Sequence, residues 1–467
     1  MAYEWNAFLD TTLGDSLPRP LKLPLKVYAR MEAMEADANG VWRWIRLDGI
    51  EADWFDDAAN QRLKPTDYFQ RAPLLAIEFD PSADPALHII MHQFTGGAPL
   101  AERENDLTDL PEFWLDITLT QTGNNPCQVY TNLRGPPLQY SASTGLASSA
   151  AIGKLRQTFD LASYFKPAPI TDIESVLHGI PEFEDVVVYD VGQGSAAAMT
   201  DRHGRPLLYA DVGGGVTRNA HTFPVALNSF CSCTRAPIIL SHWDWDHWSS
   251  AGLKKDRWLR AHTWIAPMQR ALGPSHLAQA QAIDQLGKLL LWGNAQQPTI
   301  SAGRFRLERC NGRGRNHSGI ALIVSGPPGA LPLLIPGDAR YGVIPSGFNH
   351  YDSIIVPHHG ADMKATGTPT APLMQHSRAV YSYGPNNNFG SASQPVSHPA
   401  QVTRSEHDTN LWYDAKISNR RPRAVRQTED RHPIHQLGHV QISWTNSGRL
   451  RRTLCNRGQQ CDLSPTQ

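Results

Sequence analysis

An α/β fold set behind a β-rich N-terminal segment is what this 467-residue sequence predicts. Apolar runs recur from about residue 183 to 448 and end in loops rich in Asp, His and Gly. A helical periodicity separates the earlier of these runs from the later ones. Before about residue 165 the chain instead reads as short strands between turns.

The segment 1–165 opens its strand pattern after Asn39-Gly40, a hairpin-type turn signal followed by Val41-Trp42-Arg43-Trp44-Ile45-Arg46-Leu47. Leu75 to Phe79 and Leu87 to Met91 are further strand candidates. Leu115, Ile117 and Leu119 alternate with Asp116, Thr118 and Thr120, as a half-buried strand requires. No catalytic constellation occurs here, and the segment reads as a β-sandwich-like accessory domain able to engage a protein partner. Residues 166–182 read as a linker, because Pro167 and Pro169 disfavour helix and sheet alike. In the domain 183–448, Ala280, Ile283, Leu286 and Leu290 recur at helical spacing with Ser275 as N-cap. That stripe is core material. His439 to Trp444 is the last expected strand, and 449–467 is a polar tail.

A chain of this length exceeds what one core supports, so two domains are expected. With 43 basic and 44 acidic residues, overall charge gives no sign of a nucleic-acid binder, although a local basic face remains open. The first 20 residues contain acids and lack the apolar core of a signal peptide. No apolar run approaches the roughly 18–20 residues that span a bilayer, so a cytoplasmic protein without membrane contact is expected. Cys231-Ser232-Cys233 has the wrong spacing for a zinc knuckle and reads as packed, reduced thiols.

The most informative stretch is Ser241-His242-Trp243-Asp244-Trp245-Asp246-His247, directly after the apolar run Pro237-Ile238-Ile239-Leu240. Read as an extended loop, it places His242 and Asp244 on one side, able to grip one ion. Asp246 and His247 diverge and reach a second. Clustered carboxylates repel unless a cation neutralises them, so the pattern predicts metal.

This cluster resembles the His-x-His-x-Asp-His signature of the metallo-β-lactamase fold, with Asp244 in place of the second His. The variant is most similar to the metallo-β-lactamase domain of ComEC-type competence proteins. Further segments match in order: Asp190-Val191-Gly192-Gln193-Gly194, Asp211-Val212-Gly213-Gly214-Gly215, Asn316-His317-Ser318, Gly337-Asp338, Val356-Pro357-His358-His359-Gly360 and His398-Pro399. The resemblance implies an αββα sandwich and says nothing of the first 175 or so residues. Competence channels carry this domain beside membrane helices, so this chain would be a soluble relative.

Carried over, the resemblance implies that His242 and Asp244 hold one ion and Asp246 and His247 the other. Asp338 bridges both, and His398 closes the second site. Two divalent ions would hold a bridging hydroxide as nucleophile. Asp244 makes the first site oxygen-rich, shifting preference from zinc towards manganese, with magnesium open. His317 completes that site if it points inward. Successive residues point apart, so one of His358 and His359 faces the metals as ligand or proton donor and the other supports the loop. Asp190, Asp211, Asn316 and Ser318 are expected behind the ligands. Gly192, Gly194 and Gly213 to Gly215 permit close backbone approach or serve only as tight turns. Arg313 and Arg315 are candidate phosphate contacts. Trp243 and Trp245, if exposed, would stack a base. The late cations Lys416, Arg420, Arg421, Arg423, Arg426, Arg449, Arg451 and Arg452 form either a solvated face or a phosphate track.

These residues suggest a metal-dependent phosphodiesterase, with nucleic acid, DNA first, as the substrate the resemblance implies. The alternatives are a hydrolase of a small phosphodiester, cyclic nucleotide or lactone, and a binding or assembly protein with a structural metal.

Overall fold

The computed structural model describes residues 5–11, 18–36, 42–81, 84–87, 89–90, 113–345, 350–361, 367–372, 377–387, 400–412, 425–429, 431, 436–444, 448–449 and 454. The first strands are β1 (Leu25–Ala36), β2 (Trp42–Glu51), β3 (Leu74–Phe79), β4 (Trp114–Thr120), β5 (Pro126–Tyr130) and β6 (Leu138–Leu146). They close a barrel in the order β1-β2-β3-β5-β6-β4, not the sandwich-like layer expected. Closure removes exposed edges, and antiparallel pairing at every joint permits the short connections. Residues 87, 89 and 90, expected in a strand, are helical instead. The Asn39-Gly40 turn lies outside the described residues.

The barrel strands follow a period of two, broken in β1 by an irregularity between Met31 and Ala33. Val27, Ala29, Met31, Ile45, Leu47, Leu75 and Ile77 fill the interior. The alternate positions Arg30, Glu32, Arg46, Asp48 and Glu78 point outwards, yet each is buried. The rest of the chain covers that charged face. Arg218, from beyond the barrel, pairs with Glu78 at 3.1 Å, and Arg46 pairs with the same carboxylate at 2.9 Å. One apolar cluster also crosses the boundary, joining Phe8, Ile50 and Trp114 with Tyr189, Trp243 and Trp245. Barrel and remainder therefore share a core.

Two further sheets follow. The first contains β7 (Asp185–Val188), β8 (Ala196–Thr200), β9 (Pro206–Val212), β10 (Ile238–Ile239), β11 (Thr263–Pro267) and β12 (Lys288–Trp292). The second contains β13 (Thr299–Ala302), β14 (Phe305–Arg309), β15 (Ile320–Val324), β16 (Leu333–Ile335), β17 (Ser353–Ile355), β18 (Ala379–Tyr381) and β19 (Val425–Gln427). Strands β20 (Val440–Ile442) and β21 (Gly448–Arg449) return to the first sheet beside β7. Side chains from both sheets, among them Val186, Met199, Ile239, Leu307, Leu322 and Ile355, join one apolar cluster.

Two expectations fail here for local reasons. The segment read as a linker contains the helix Ile170–His178, with Pro169 at its N-cap, where a missing N–H costs nothing. Ile173 and Leu177 join the cluster between the sheets, so the segment is part of the fold. The helix Pro274–Leu286 starts at Gly273 rather than Ser275, and Leu290 lies in β12. No described helix is long and apolar enough to cross a membrane.

Candidate metal centre

Parallel pairing of β9, β10 and β11, and of β16, β17 and β18, sends the carboxyl ends of these strands to the same edge of each sheet. Ser241, just past β10, stitches the two edges together. Its N–H and hydroxyl donate to Asp211 at 2.7 and 2.9 Å, and its carbonyl accepts from Ile320 at the head of β15. Gly337 passes so close that a β-carbon there would lie 2.5 Å from that of Ser241, and its φ of 59° suits glycine. Next to Gly337 stands Asp338.

The expected extended loop ends at Asp244. Trp245–Trp248 form one helical turn that turns Asp246 and His247 back towards β9. The carbonyl of Asp246 accepts from the N–H groups of Ser195 and Gly214 at 2.9 and 3.1 Å. A β-carbon on Gly213 would lie 1.6 Å from that carbonyl oxygen, so close backbone approach is what this glycine permits.

Three imidazoles are anchored in the same way. Nδ1 of His242 meets the Ser241 hydroxyl at 3.0 Å, Nδ1 of His247 meets Asp211 at 2.8 Å, and Nδ1 of His359 meets the Ser382 carbonyl at 2.8 Å. The Nε2 atoms of all three are buried without a hydrogen-bond partner among the described residues. They surround Asp338: Oδ2 lies 3.7 Å from His242, while Oδ1 lies 3.1 Å from His247 and 3.9 Å from His359. His359 Nε2 also lies 3.2 Å from Asp246 Oδ2, and His242 Nε2 lies 3.4 Å from Asp244 Oδ2. Lone pairs converging in this way, each ring fixed through its other nitrogen, are the donor set of a cation site. Two triads emerge, His242-His247-Asp338 and Asp246-His247-His359, each with ligand atoms within 4.8 Å of one another. The two groups share His247, and their donor sets fit divalent ions.

Charge supports the fit. Burial works against ionisation of the centre's acids. For Asp244, Arg315 foremost and then His242 hold the carboxyl well below the usual range, and for Asp338 the surrounding histidines, His247 first, do the same. Burial likewise opposes charge on His247 and His359, but Asp338 above all raises both. Three carboxylates facing protonated imidazoles in one pocket are an arrangement in which divalent ions would take the place of the protons.

His358 and His359 do not point apart as an extended chain would make them. Both are left-handed, at φ 47° and 54°, and this double twist brings both rings towards Asp338. His358 Nε2 lies 3.6 Å from Oδ2, on the His242 side. Its side chain is 18% exposed and that of Asp246 20%, against 4% or less for His242, His247 and His359, so these two mark the mouth. His317 is buried, with neither ring nitrogen hydrogen-bonded among the described residues. Burial, then Arg340 and His358, push its pKa down to about 3. The Arg340 Nε is likewise buried without a partner among the described residues.

Other expected residues serve elsewhere. Asp190 does not stand behind a ligand; it binds Arg431 at 2.8 Å and the N–H groups of Gly192 and Gly438, and so fixes its own loop. Asp211 does orient His247. Asn316 is half-buried in the turn Gly314–His317, and the Ser318 hydroxyl accepts from Gln269 at 3.0 Å. Trp243 and Trp245 are fully buried, with indole N–H groups donating to the Pro267 carbonyl and the Ser275 hydroxyl, so neither can stack a base. Arg315 is not a phosphate contact: it is 1% exposed and paired with Glu32 at 2.9 Å and Asp244 at 2.8 Å. Arg313 is exposed. His398, Lys416, Arg420, Arg421, Arg423, Arg451 and Arg452 lie outside the described residues.

Sequence reasoning missed Glu32, Asp48, Ser241, Gln269 and His276. Ser241 adjoins the ligand run, and the alternation of apolar and charged residues in β1 and β2 marks Glu32 and Asp48 as one face of a strand pair.

No protein-family model matches the chain, and no curated protein does. Among solved structures, a point mutant of CmlA beta-hydroxylase aligns at 12% identity over 58% of this chain and 56% of its own, with a TM-score of 0.23. The crystal structure of CmlA, a diiron beta-hydroxylase from Streptomyces venezuelae, aligns at 14% identity over 56% of this chain and 52% of its own, with a TM-score of 0.22. The chain spans about half the length of these solved chains, and the likeness is too slight to carry an assignment.

Proposed function

We infer that the protein is a metal-dependent phosphodiesterase of the metallo-β-lactamase αββα type, with DNA as the first substrate to test. The observation that carries the metal reading is the convergence of three buried Nε2 atoms on the carboxylates of Asp244, Asp246 and Asp338. Divalent ions held by these residues would supply an activated water and neutralise charge developing on a phosphoryl group. Zinc or manganese suits the mixed imidazole and carboxylate donors, and magnesium suits the carboxylates alone.

The chain's own residues do the rest. Asp211, Ser241 and the Ser382 carbonyl hold Nδ1 of each imidazole, so each would offer its Nε2 inwards to an ion once its proton is displaced. His358, the most exposed imidazole of the centre, is the group at the mouth able to hand a proton to a leaving oxygen. Arg340, whose charge acts on His317, would supply positive charge for an anionic substrate beside a centre whose carboxylates the ions would neutralise.

The choice of DNA rests on the resemblance to ComEC-type domains. Burial of Trp243, Trp245 and Arg315 removes three expected nucleic-acid contacts, and this favours a small phosphodiester as the second reading. Single- and double-stranded DNA and bis(p-nitrophenyl) phosphate, each with manganese, magnesium or zinc, separate the two. Cleavage of DNA that Asp246→Ala abolishes supports the nuclease reading. Cleavage of the small diester alone moves the substrate class, and no hydrolysis by metal-loaded protein refutes the enzyme reading.

A further inference from the structure

We propose that the N-terminal barrel is a working part of the metal centre, with Glu32 as the positioning residue that sets the ligand Asp244. The inference rests on the dinuclear centre and not on any substrate, so failure of the nuclease reading leaves it standing.

Glu32 leaves β1 on the barrel's outer face and is 2% exposed. One carboxylate oxygen accepts the backbone N–H of Trp245, the residue after Asp244, at 3.3 Å. The other lies 2.7 Å from His276 Nε2 and 2.9 Å from the Arg315 guanidinium. Arg315 also donates to the Glu32 backbone carbonyl. Its Nε then stands 2.8 Å from Asp244 Oδ1. Asp244 Oδ1 thus faces Arg315 as an ion pair without an aligned hydrogen bond, and Oδ2 lies 3.4 Å from His242 Nε2. The arrangement lets Asp244 present one oxygen at a fixed angle with part of its charge already balanced.

His276 joins the same buried group: its Nδ1 accepts from the Trp248 indole at 3.3 Å, and its Nε2 lies 2.7 Å from Glu32 and 3.3 Å from Arg315. A second barrel acid, Asp48, touches no ligand directly. It accepts from the Ser275 N–H and hydroxyl at 3.0 and 2.6 Å at the head of the helix Pro274–Leu286, and the same hydroxyl accepts from the Trp245 indole. Asp48 therefore docks the barrel on the Trp245 side chain, whereas Glu32 reaches Asp244 itself through Arg315. The two acids give the test its control.

Stepwise zinc and manganese affinities of the full chain are measured by titration calorimetry, beside the visible absorption of the cobalt-loaded protein and the melting temperature. Glu32→Gln keeps the volume and the acceptor for Trp245 but loses the charge facing Arg315. The expected result is about 10–100-fold weaker binding of one ion with the other within twofold, and an altered cobalt band. Asp48→Asn is expected to lower the melting temperature with both affinities within twofold. In an Arg315→Gln background, Glu32→Gln is expected to add little further loss, because its effect runs through Arg315. Unchanged affinities in a folded Glu32→Gln protein overturn the proposal. So does parallel loss of both ions and of thermal stability in Glu32→Gln and Asp48→Asn alike, since that pattern belongs to docking alone. Should Glu32→Gln fail to fold, Arg315→Lys reads the same link, and unaltered binding of both ions there also overturns it.

Discussion

Replacing Asp211 by Asn tests whether the ligand imidazoles are held in one tautomer. Asp211 is buried, accepts from Ser241 twice, and receives the Nδ1–H of His247 at 2.8 Å. Its φ of 56° is left-handed, which Asn tolerates as well as Asp, so the exchange adds no backbone strain. An amide oxygen facing Ser241 turns its NH2 group towards His247 Nδ1, which must then accept, and the proton moves to the ligating Nε2. The opposite flip sets the amide donors against the Ser241 N–H. Either way one charge-assisted hydrogen bond of about 1.5–3 kcal/mol is lost. That range matches the roughly 10–100-fold loss of affinity typical of groups behind a metal ligand, on the order of 1.4–2.7 kcal/mol. Titration calorimetry with zinc should show one ion weakened by that amount, with the apoprotein still folded by circular dichroism. Asp211→Ala should lose more, since it also orphans the Ser241 N–H and places Ala at a positive φ. Affinities within twofold of the parent in Asp211→Asn would refute the tautomer argument.

Other predictions follow from the same geometry. Gly213→Ala drives a β-carbon to 1.6 Å from the Asp246 carbonyl and should cost several kcal/mol in denaturant unfolding, with metal binding lost. Burial holds His262, His407 and His439 down at about 4, below their unfolded value. The unfolded chain therefore binds more protons in acid. Each group contributes on the order of 3 kcal/mol of stability above pH 6.5 that is lost as pH falls towards 4, and denaturant midpoints measured across that range check it. Because His247 and His359 carry raised pKa values, ions must displace their protons, so affinity should rise with pH and binding should release protons in a buffer-dependent calorimetric heat. Chelation should lower the melting temperature, since metal at about 1,000 times its Kd stabilises by roughly 4 kcal/mol.

The cluster 242–247 was legible as a candidate cation site because its members are neighbours in sequence and like charges packed so closely call for neutralisation. The glycine turns were legible for the same local reason. What escaped the sequence depends on distance or on backbone twist. Glu32 meets His276 across 244 positions, and nothing near Glu32 signals that the outer face of its strand is covered. The extended geometry assumed for His358-His359 failed because two successive left-handed residues outside glycine carry no compositional signal. Trp243 and Trp245 look the same in sequence whether they line a cleft or fill the core shared with the barrel. The linker reading failed because Pro169 opens a helix at a position where proline is well tolerated.

The pairing of β20 with β7 has a consequence for the order in which the molecule is made. The loop after β7 is secured by Arg431, Gly438 and His439, groups 241 to 249 positions further along the chain. During synthesis at about 5–20 residues per second, that loop waits on the order of tens of seconds for its anchors. Barrel, ligand loops and closing strand are thus joined at both ends of the described chain. A nascent chain halted before β20 would expose the apolar edge of β7, and the quality-control machinery of the cell would meet it as an unfinished protein rather than as a shorter one.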